Sequence, residues 1–116
     1  MVIRPQQMEK LSDYMYQRFV DRMVAYLRSR FAKETSNVTN DELRQTVKVG
    51  IDRAERHGVT DESDVRRYLE YVMSYGANFD ESDWAAPILN QSASGVAKMN
   101  ELEDYCICRV SGSEPA

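Results

Sequence analysis

The sequence predicts an all-α protein, a compact bundle of about four main helices and one short helix. Apolar residues recur at steps of three and four along four segments, and this spacing places them on one face of a helix. No segment alternates apolar and polar residues, and neither Asn-Gly nor Asp-Gly, the usual hairpin turns, occurs. The length of 116 residues suits a single domain. We expect that domain to span residues 1–110, followed by a flexible tail at residues 111–116.

The first predicted helix runs from about residue 5 to residue 31. It is the longest segment with helical periodicity, so we expect it to be the spine on which the shorter helices pack. Its predicted apolar stripe consists of Met8, Leu11, Met15, Phe19, Met23, Leu27 and Phe31, widened by Val20 and Val24. Arginines and tyrosines cover much of the remaining surface of this helix.

The second predicted helix follows a polar connector and ends at about His57. Thr39 and Glu42 have the spacing of a capping box, although Asn40 is an alternative cap. Gly50 lies inside the helix at a cost of roughly 1 kcal/mol relative to alanine. A close approach of another helix would explain this glycine, and so would simple tolerance. The predicted buried stripe is Leu43, Val47, Ile51 and Ala54.

A helix end, a tight turn and a helix start are predicted within residues 50–65. Gly58 follows the last apolar position of the second helix, where a left-handed C-terminal cap favours glycine. Thr60 is the expected N-cap of a third helix over about residues 61–75, and Gly76 is the expected cap at its end. Acidic residues suit the positive end of that helix: Asp61, Glu62 and Asp64. Its predicted apolar face is Val65, Tyr68, Leu69, Val72 and Met73.

The remaining chain predicts a loop, a short helix and a final helix. The loop spans residues 77–83, and Phe79 is expected to anchor it in the core. Ser82 or Asp83 can cap the short helix that follows through Trp84, Ile88 and Leu89. Residues 92–95 precede the final helix. Its predicted buried face is Val96, Met99, Leu102, Cys106 and Val110.

Composition restricts the classes of partner and compartment. The formal net charge is −4 and the isoelectric point is about 5.0, which argues against nucleic acid or an anionic membrane as the partner. The N-terminus has no apolar signal region, and the apolar runs are far shorter than a membrane span. Cys106 and Cys108 are too close in sequence for an ordinary disulfide. We therefore expect a cytoplasmic protein with reduced thiols, whose partner is another protein.

Few residues have a pattern typical of catalysis, and we expect no cofactor and no metal. His57 precedes a glycine cap, where an imidazolium would interact favourably with the end of the helix. Cys106 and Cys108 point in different directions on a helix, and no second Cys or His pair accompanies them. We expect Cys106 to be buried and Cys108 to be exposed. No phosphate-binding glycine loop or zinc-protease pattern occurs.

The acidic loop only loosely resembles a calcium-binding loop. Asn78, Asp80 and Asp83, with Glu81 nearby, lack the glycine and glutamate positions of the regular calcium-binding pattern. Helix capping and loop solubility are the expected roles of these residues.

Tyrosines are the most interesting candidates for binding. The chain contains seven of them, more than the helical stripes can bury, and tyrosine beside arginine is typical of binding hot spots. The candidate partner-binding residues are Tyr14, Arg18, Arg22, Tyr71 and Tyr75, and Tyr16 is a further exposed candidate. The alternative, equally weighted, is that these rings pack against neighbouring helices with their hydroxyls at the edge.

Four motifs, with Arg18-Phe19 and the long first helix, resemble a family of small helical proteins. They are Gly58-Val59-Thr60-Asp61-Glu62-Ser63-Asp64-Val65, Tyr68-Leu69, Tyr75-Gly76-Ala77-Asn78-Phe79-Asp80 and Trp84-Ala85-Ala86-Pro87-Ile88-Leu89. Proteins of that family are often encoded beside bacterial type VI secretion effectors, spike proteins and effector adaptors. The resemblance covers about residues 5–102 and carries no catalytic residues, and Cys106-Ile107-Cys108 departs from it.

The resemblance implies a non-enzymatic accessory factor that binds a type VI effector or the adaptor chaperone that loads one. The alternative is a cytoplasmic immunity protein whose acidic surface covers a basic site on a cognate toxin. A third hypothesis, a small hydrolase that uses His57 and Cys108, lacks any sequence cue that pairs the two residues.

Overall fold

The computed structural model describes residues 13–107, and its regular structure is entirely helical, as the sequence predicts. Five α-helices and one 3-10 turn follow one another. They are α1 (Asp13–Arg30), α2 (Asn40–Arg56), α3 (Glu62–Tyr75), the 3-10 turn (Phe79–Glu81), α4 (Ala86–Leu89) and α5 (Gly95–Ile107). The predictions for Met8, Leu11, Cys108, Val110 and the tail concern residues outside the described range.

Helix α3 occupies the centre of the bundle. It packs against α1, α2, α5 and the 3-10 turn, whereas α1 contacts only α2 and α3 among the described elements. Among the described residues α1 is the longest helix, and it lies along α2 and α3. Ion pairs from Arg22 to Glu62 and from Arg30 to Glu70 show that α1 and α3 run side by side in the same direction.

The helical periodicity identifies most of the core correctly. All four predicted stripe residues of α2 are buried, as are Phe19, Met23 and Leu27 of α1 and Met99 and Leu102 of α5. The predicted burial of Met15 and Val96 is wrong, because their side chains are 52% and 50% exposed. Both lie in the first turn of their helix as described, and an apolar stripe is buried only where a neighbouring element covers it.

Helix α2 begins with the predicted capping box. The Thr39 Oγ1 accepts a hydrogen bond from the Glu42 N–H at 3.1 Å, and Glu42 Oε1 accepts one from the Thr39 N–H at 2.9 Å. Asn40, the alternative cap, is the first helical residue instead. Its side-chain oxygen accepts a hydrogen bond from Arg28 Nε at 3.0 Å, and Arg28 also donates to the carbonyl of Val38 at 2.6 Å. These bonds fasten the end of α1 to the start of α2.

The N-cap of α3 differs from the prediction by one residue. Asp61 Oδ1 accepts a hydrogen bond from the Ser63 N–H at 3.1 Å, whereas Thr60 is buried in the turn. The carboxylate of Asp61 lies within reach of the first free N–H groups of the helix, so Asp61 is the cap and the hydroxyl of Thr60 is not. Gly58 and Gly76 have the predicted positive φ values of +78° and +103°.

Two glycines lie at close approaches between elements. A Cβ on Gly50 would lie 2.4 Å from Cδ2 of Leu69, which confirms that a neighbouring helix explains this glycine. A Cβ on Gly95 would lie 2.4 Å from the carbonyl oxygen of Gly58 and 2.9 Å from Cα of Val59. The turn between α2 and α3 is therefore packed directly against the first residue of α5.

Candidate functional site

Five aromatic side chains meet where α3 ends, and we call them the aromatic cluster: Tyr71, Tyr75, Phe79, Trp84 and Tyr105. Trp84 lies in the middle, with its ring centroid 5.2 Å from that of Tyr75, 6.3 Å from that of Tyr71 and 5.3 Å from that of Tyr105. The rings of Trp84 and Tyr105 are nearly parallel, at 8°. These separations lie within the range over which aromatic rings attract one another.

The aromatic cluster extends from the core to the surface. Phe79 is buried, as predicted, and contacts Tyr71 with ring centroids 5.6 Å apart. Tyr71, Trp84 and Tyr105 are partly buried, whereas Tyr75 is 55% exposed. The inner rings therefore restrict the positions of the outer rings.

A surface groove of about 540 Å³ runs beside the aromatic cluster. Tyr71 and Tyr75 form one part of its wall, and Arg30, Arg67 and Glu103 contribute charged groups. Arg67 donates to Glu103 at 2.7 Å, which fixes both side chains across α3 and α5. The groove is lined by Arg30, Phe31, Arg67, Glu70, Tyr71, Ser74, Tyr75, Glu103 and Cys106.

The Tyr71 hydroxyl at this groove stays protonated over the physiological range. Burial raises the pKa of Tyr71, and the nearby Cys106 and Glu103 raise it further. The thiol of Cys106 also lies 3.9 Å from the hydroxyl of Tyr75. Cys106 is partly buried, so the expected burial of this residue is only partial.

A second group of side chains holds the loop that carries Phe79 and Trp84. We call Arg53, His57, Tyr68 and Asp80 the polar cluster. Arg53 Nη2 and Nε lie 2.6 and 3.2 Å from the two carboxylate oxygens of Asp80, and His57 Nε2 lies 2.9 Å from Oδ2. Asp80 is only 6% exposed. The expectation that this acid serves capping or loop solubility is therefore wrong, since it is an internal anchor.

The polar cluster keeps Asp80 ionised despite its burial. Burial raises the pKa of Asp80, but the hydrogen bonds from Arg53 and His57 outweigh that effect, so the pKa lies below its usual value of 3.8. The same bond to Asp80 raises the pKa of Arg53. Arg53 of α2 and Asp80 of the 3-10 turn therefore form a charged pair.

Tyr68 joins the two clusters. Its ring is 4.8 Å from Phe79 and 6.4 Å from His57, measured between centroids. Its hydroxyl is buried close to the side chains of Asp80 and Arg53. Burial raises the pKa of Tyr68, and the charge of Asp80 adds to the effect.

His57 has the predicted place at the end of α2. Its N–H donates to the carbonyl of Ala54 at 3.0 Å, and its own carbonyl accepts a hydrogen bond from Lys98 Nζ at 2.9 Å. Its ring, however, is bound to Asp80, a partner 23 residues away that the sequence pattern did not indicate. Cys108, which the hydrolase hypothesis pairs with His57, lies outside the described residues.

No family model, curated protein or solved structure matches this chain. Within residues 13–107, no group of three or more His, Cys, Asp or Glu side chains is placed to hold a metal ion. In the same part of the chain, no helix has the length and apolar character needed to cross a bilayer.

The five candidate partner-binding residues lie in two separate places. Tyr71 and Tyr75 belong to the aromatic cluster. Tyr14 begins α1, is 66% exposed and has the Arg18 guanidinium 5.7 Å from its ring centroid. Arg22 lies one turn after Arg18 and pairs with Glu62 at 3.4 Å. Because α1 and α3 run in the same direction, Tyr14, Arg18 and Arg22 lie beside the start of α3, towards the opposite end of the bundle from Tyr75.

Trp84 and Tyr105 are the members of the site that sequence reasoning missed as binding candidates. Trp84 is the single tryptophan of the chain, and an aromatic residue in a loop rich in acids is itself a signal. Tyr105 gives no such signal, because its ring reaches Trp84 only through the packing of α5 beside α4.

Proposed function

We propose that this chain is a protein-binding accessory factor without enzymatic activity, which acts in a type VI secretion effector module. It would bind an effector or the adaptor chaperone that loads one. The observation that carries the proposal is the aromatic cluster, in which an exposed Tyr75 contacts Trp84 above the buried base of Phe79. Tyrosine and tryptophan are among the residues that contribute most of the energy in protein interfaces.

The surface is already arranged for binding. The outer rings pack against one another and against a buried ring, so little side-chain entropy remains to be lost when a partner binds. The groove beside Tyr75 offers space for a side chain of the partner. A rigid aromatic surface beside a groove is typical of the centre of an interface.

The type VI context is supported by the resemblance described above. Two of the motifs that carry it, at residues 75–80 and 84–89, supply Tyr75, Phe79 and Trp84 of the aromatic cluster and Asp80 of the polar cluster. These two motifs therefore lie in the proposed binding surface.

The test is co-expression with the products of neighbouring genes, followed by co-purification and measurement of affinity for whichever product binds. Tyr75→Ala is expected to weaken binding at least tenfold, as hot-spot truncations do. Tyr14→Ala is the matched control, because Tyr14 is a similarly exposed tyrosine at the other end of the bundle. The affinity of the Tyr14→Ala variant for the same gene product should change less than twofold.

Two results would contradict the proposal. If no neighbouring product binds, the accessory role is wrong. If Tyr14→Ala weakens binding while Tyr75→Ala does not, the binding surface is the Tyr14–Arg18 pair of α1 instead.

The alternative role, a cytoplasmic immunity protein, is supported by the acidic net charge of −4. An acidic protein is attracted to the basic active site of a toxin, and this attraction speeds association. Co-expression with the adjacent toxin distinguishes the two roles, since only an immunity protein restores growth.

A further inference from the structure

The outward face of α2 carries an exposed apolar side chain between two grooves. Val49 is the one large apolar residue of α2 that is exposed, at 39%. A groove of about 500 Å³ lies between it and the start of α1, and a groove of about 510 Å³ lies on its other side, towards α3. A single exposed valine is ordinary on a protein surface. A ridge with a groove on each side, however, is the shape against which another helix packs.

The groove on the α3 side has an apolar floor and walls. Val72 of α3, Val38 of the connector and Ala77 of the following loop face Val49 and Gly50 of α2 across it. Among residues 13–107, this groove shares no lining residue with the groove beside the aromatic cluster. An occupant of the α2 groove therefore does not compete for the residues that line the other groove.

The charges of α2 are arranged symmetrically about Val49. Glu42 lies seven residues before it and Arg56 seven residues after it. Seven residues are two helical turns, so the three side chains lie nearly in one line along the helix. All three are exposed. The outward stripe of α2 thus has an acid near its start, a valine at its middle and a base at its end.

This stripe is complementary to a second copy of itself. When two α2 helices lie antiparallel with Val49 on the two-fold axis, Glu42 of each copy lies opposite Arg56 of the other. A two-fold axis repeats every contact, so both oppositely charged pairs form together. A shift of one turn that sets Glu42 opposite Asp52 of the other copy brings like charges together. Charge therefore favours the register centred on Val49.

Both charged groups are available for such pairs. The capping box uses Oε1 of Glu42 and holds the carboxylate at the start of α2. Arg56 lies 3.4 Å from Asp52, and the two side chains are 67% and 62% exposed. Exposed pairs of this kind contribute little free energy. The Arg56 guanidinium can therefore turn to the carboxylate of another copy at small cost.

We propose that α2 is the interface of a symmetric dimer of this chain. Two copies pack antiparallel, Val49 of each enters the groove beside Val72 of the other, and a Glu42–Arg56 pair closes each end. This inference is independent of the proposed function. One helix pair buries less than the roughly 1,600 Å² of a standard interface, so we expect a weak dimer with a dissociation constant of about 10–100 µM.

Sedimentation velocity of the full chain, from about 5 to about 500 µM, should show a change from monomer to dimer over this range. Val49→Lys places two like charges at the axis and should weaken dimerisation at least about tenfold. Val96→Lys is the matched control, because Val96 is another exposed valine on a helix, 50% accessible at the start of α5. It should leave the dissociation constant unchanged.

A charge exchange tests the register. Glu42→Arg and Arg56→Glu, each alone, set like charges opposite one another and should weaken dimerisation about five- to tenfold. A mixture of the two variants should associate within about twofold of the wild type, because each supplies the charge that the other lacks. Glu42→Arg also removes a capping contact. That loss persists in the mixture, so a change in stability does not account for restored association.

Three results would overturn the inference. The first is a wild type that stays monomeric at the highest concentration, which would leave the stripe of α2 to a different protein. The second is equal weakening by Val49→Lys and Val96→Lys, and the third is a mixture of the charge variants that associates no better than either alone. None of these results bears on the proposed function, which fails only in the tests with neighbouring gene products.

Discussion

Arg53 and Asp80 form a two-point ion pair that joins the middle of the chain to the loop carrying the aromatic cluster. The guanidinium reaches both oxygens of the carboxylate, and His57 adds a third contact to the same group. Asp80 lies between Phe79 and the exposed acid Glu81, so its burial fixes how the loop is oriented. The position of Trp84, three residues beyond Glu81, depends on this attachment.

Asp80→Asn is expected to lower the free energy of unfolding by about 2–4 kcal/mol, because it leaves the Arg53 charge partly buried without its partner. Urea denaturation followed by far-UV circular dichroism measures this change. Asp52→Asn is a suitable control, since Asp52 pairs with Arg56 on the open surface and such pairs contribute at most about 1 kcal/mol. Equal losses for the two variants would show that burial adds nothing to the Arg53–Asp80 pair.

The pKa of Asp80 predicts how stability depends on pH. Its folded-state pKa is lowered, so its contribution to stability is fully present above the usual value of 3.8 and is lost as pH falls through the folded-state pKa. The difference in unfolding free energy between the wild type and Asp80→Asn should be constant above about pH 5 and shrink at lower pH. Urea denaturation at a series of pH values measures it. A difference that does not shrink as pH falls below about 4 would contradict the lowered pKa.

Gly95→Ala is expected to destabilise the protein more than Gly50→Ala. The added Cβ at position 95 meets main-chain atoms of Gly58 and Val59, which cannot move without deforming the turn. The Cβ at position 50 meets the tip of a side chain, Leu69, which can change rotamer at a smaller cost. We expect a loss of more than about 2 kcal/mol at Gly95 and of about 1 kcal/mol at Gly50, after the gain in helix propensity.

Thermal or urea denaturation of the two glycine variants compares them directly. A double-mutant cycle that combines Gly50→Ala with Leu69→Ala isolates the clash, because removing the Leu69 side chain should make the glycine substitution stabilising. The explanation fails if Gly50→Ala costs as much in the Leu69→Ala background as in the wild type.

Thr39→Ala is expected to cost about 1 kcal/mol, because it removes the acceptor for the Glu42 N–H and opens the capping box. Thr46→Ala, on the same helix, serves as the control. Its hydroxyl only donates back to the carbonyl of Glu42, a bond that adds little in a helix, so alanine there should be neutral or stabilising. Urea denaturation of both variants tests this, and a neutral Thr39→Ala would show that Asn40 takes over as the cap.

The sequence predicted correctly those features that are determined by residues close to one another in the chain. The capping box at Thr39 and Glu42 depends on residues three positions apart, and the positive φ of Gly58 depends on the helix that ends just before it. It failed by one residue at the start of α3, where Asp61 and Thr60 are both able caps and the packing of the turn buries Thr60.

The candidate site was predicted only in part. Tyr71 and Tyr75 are four residues apart on one helix, so their shared face follows from helical geometry. Their contact with Trp84 and the stacking of Tyr105 bring together side chains from three elements, and no spacing in the sequence encodes that distance. Tyr14, Arg18 and Arg22 were candidates for the same role, but they lie away from Tyr71 and Tyr75. The sequence of α1 does not specify in which direction that helix packs along α3.

The sequence by itself determined the helical class, most of the buried stripes and the caps, because periodicity and hydrogen bonding within a few residues are local properties. The tertiary structure alone decided the central place of α3, the burial of Asp80 against Arg53 and His57, and the joining of five rings at the end of α3. Each of these depends on which helix faces meet, and that choice is made by close packing of the whole core rather than by any one segment.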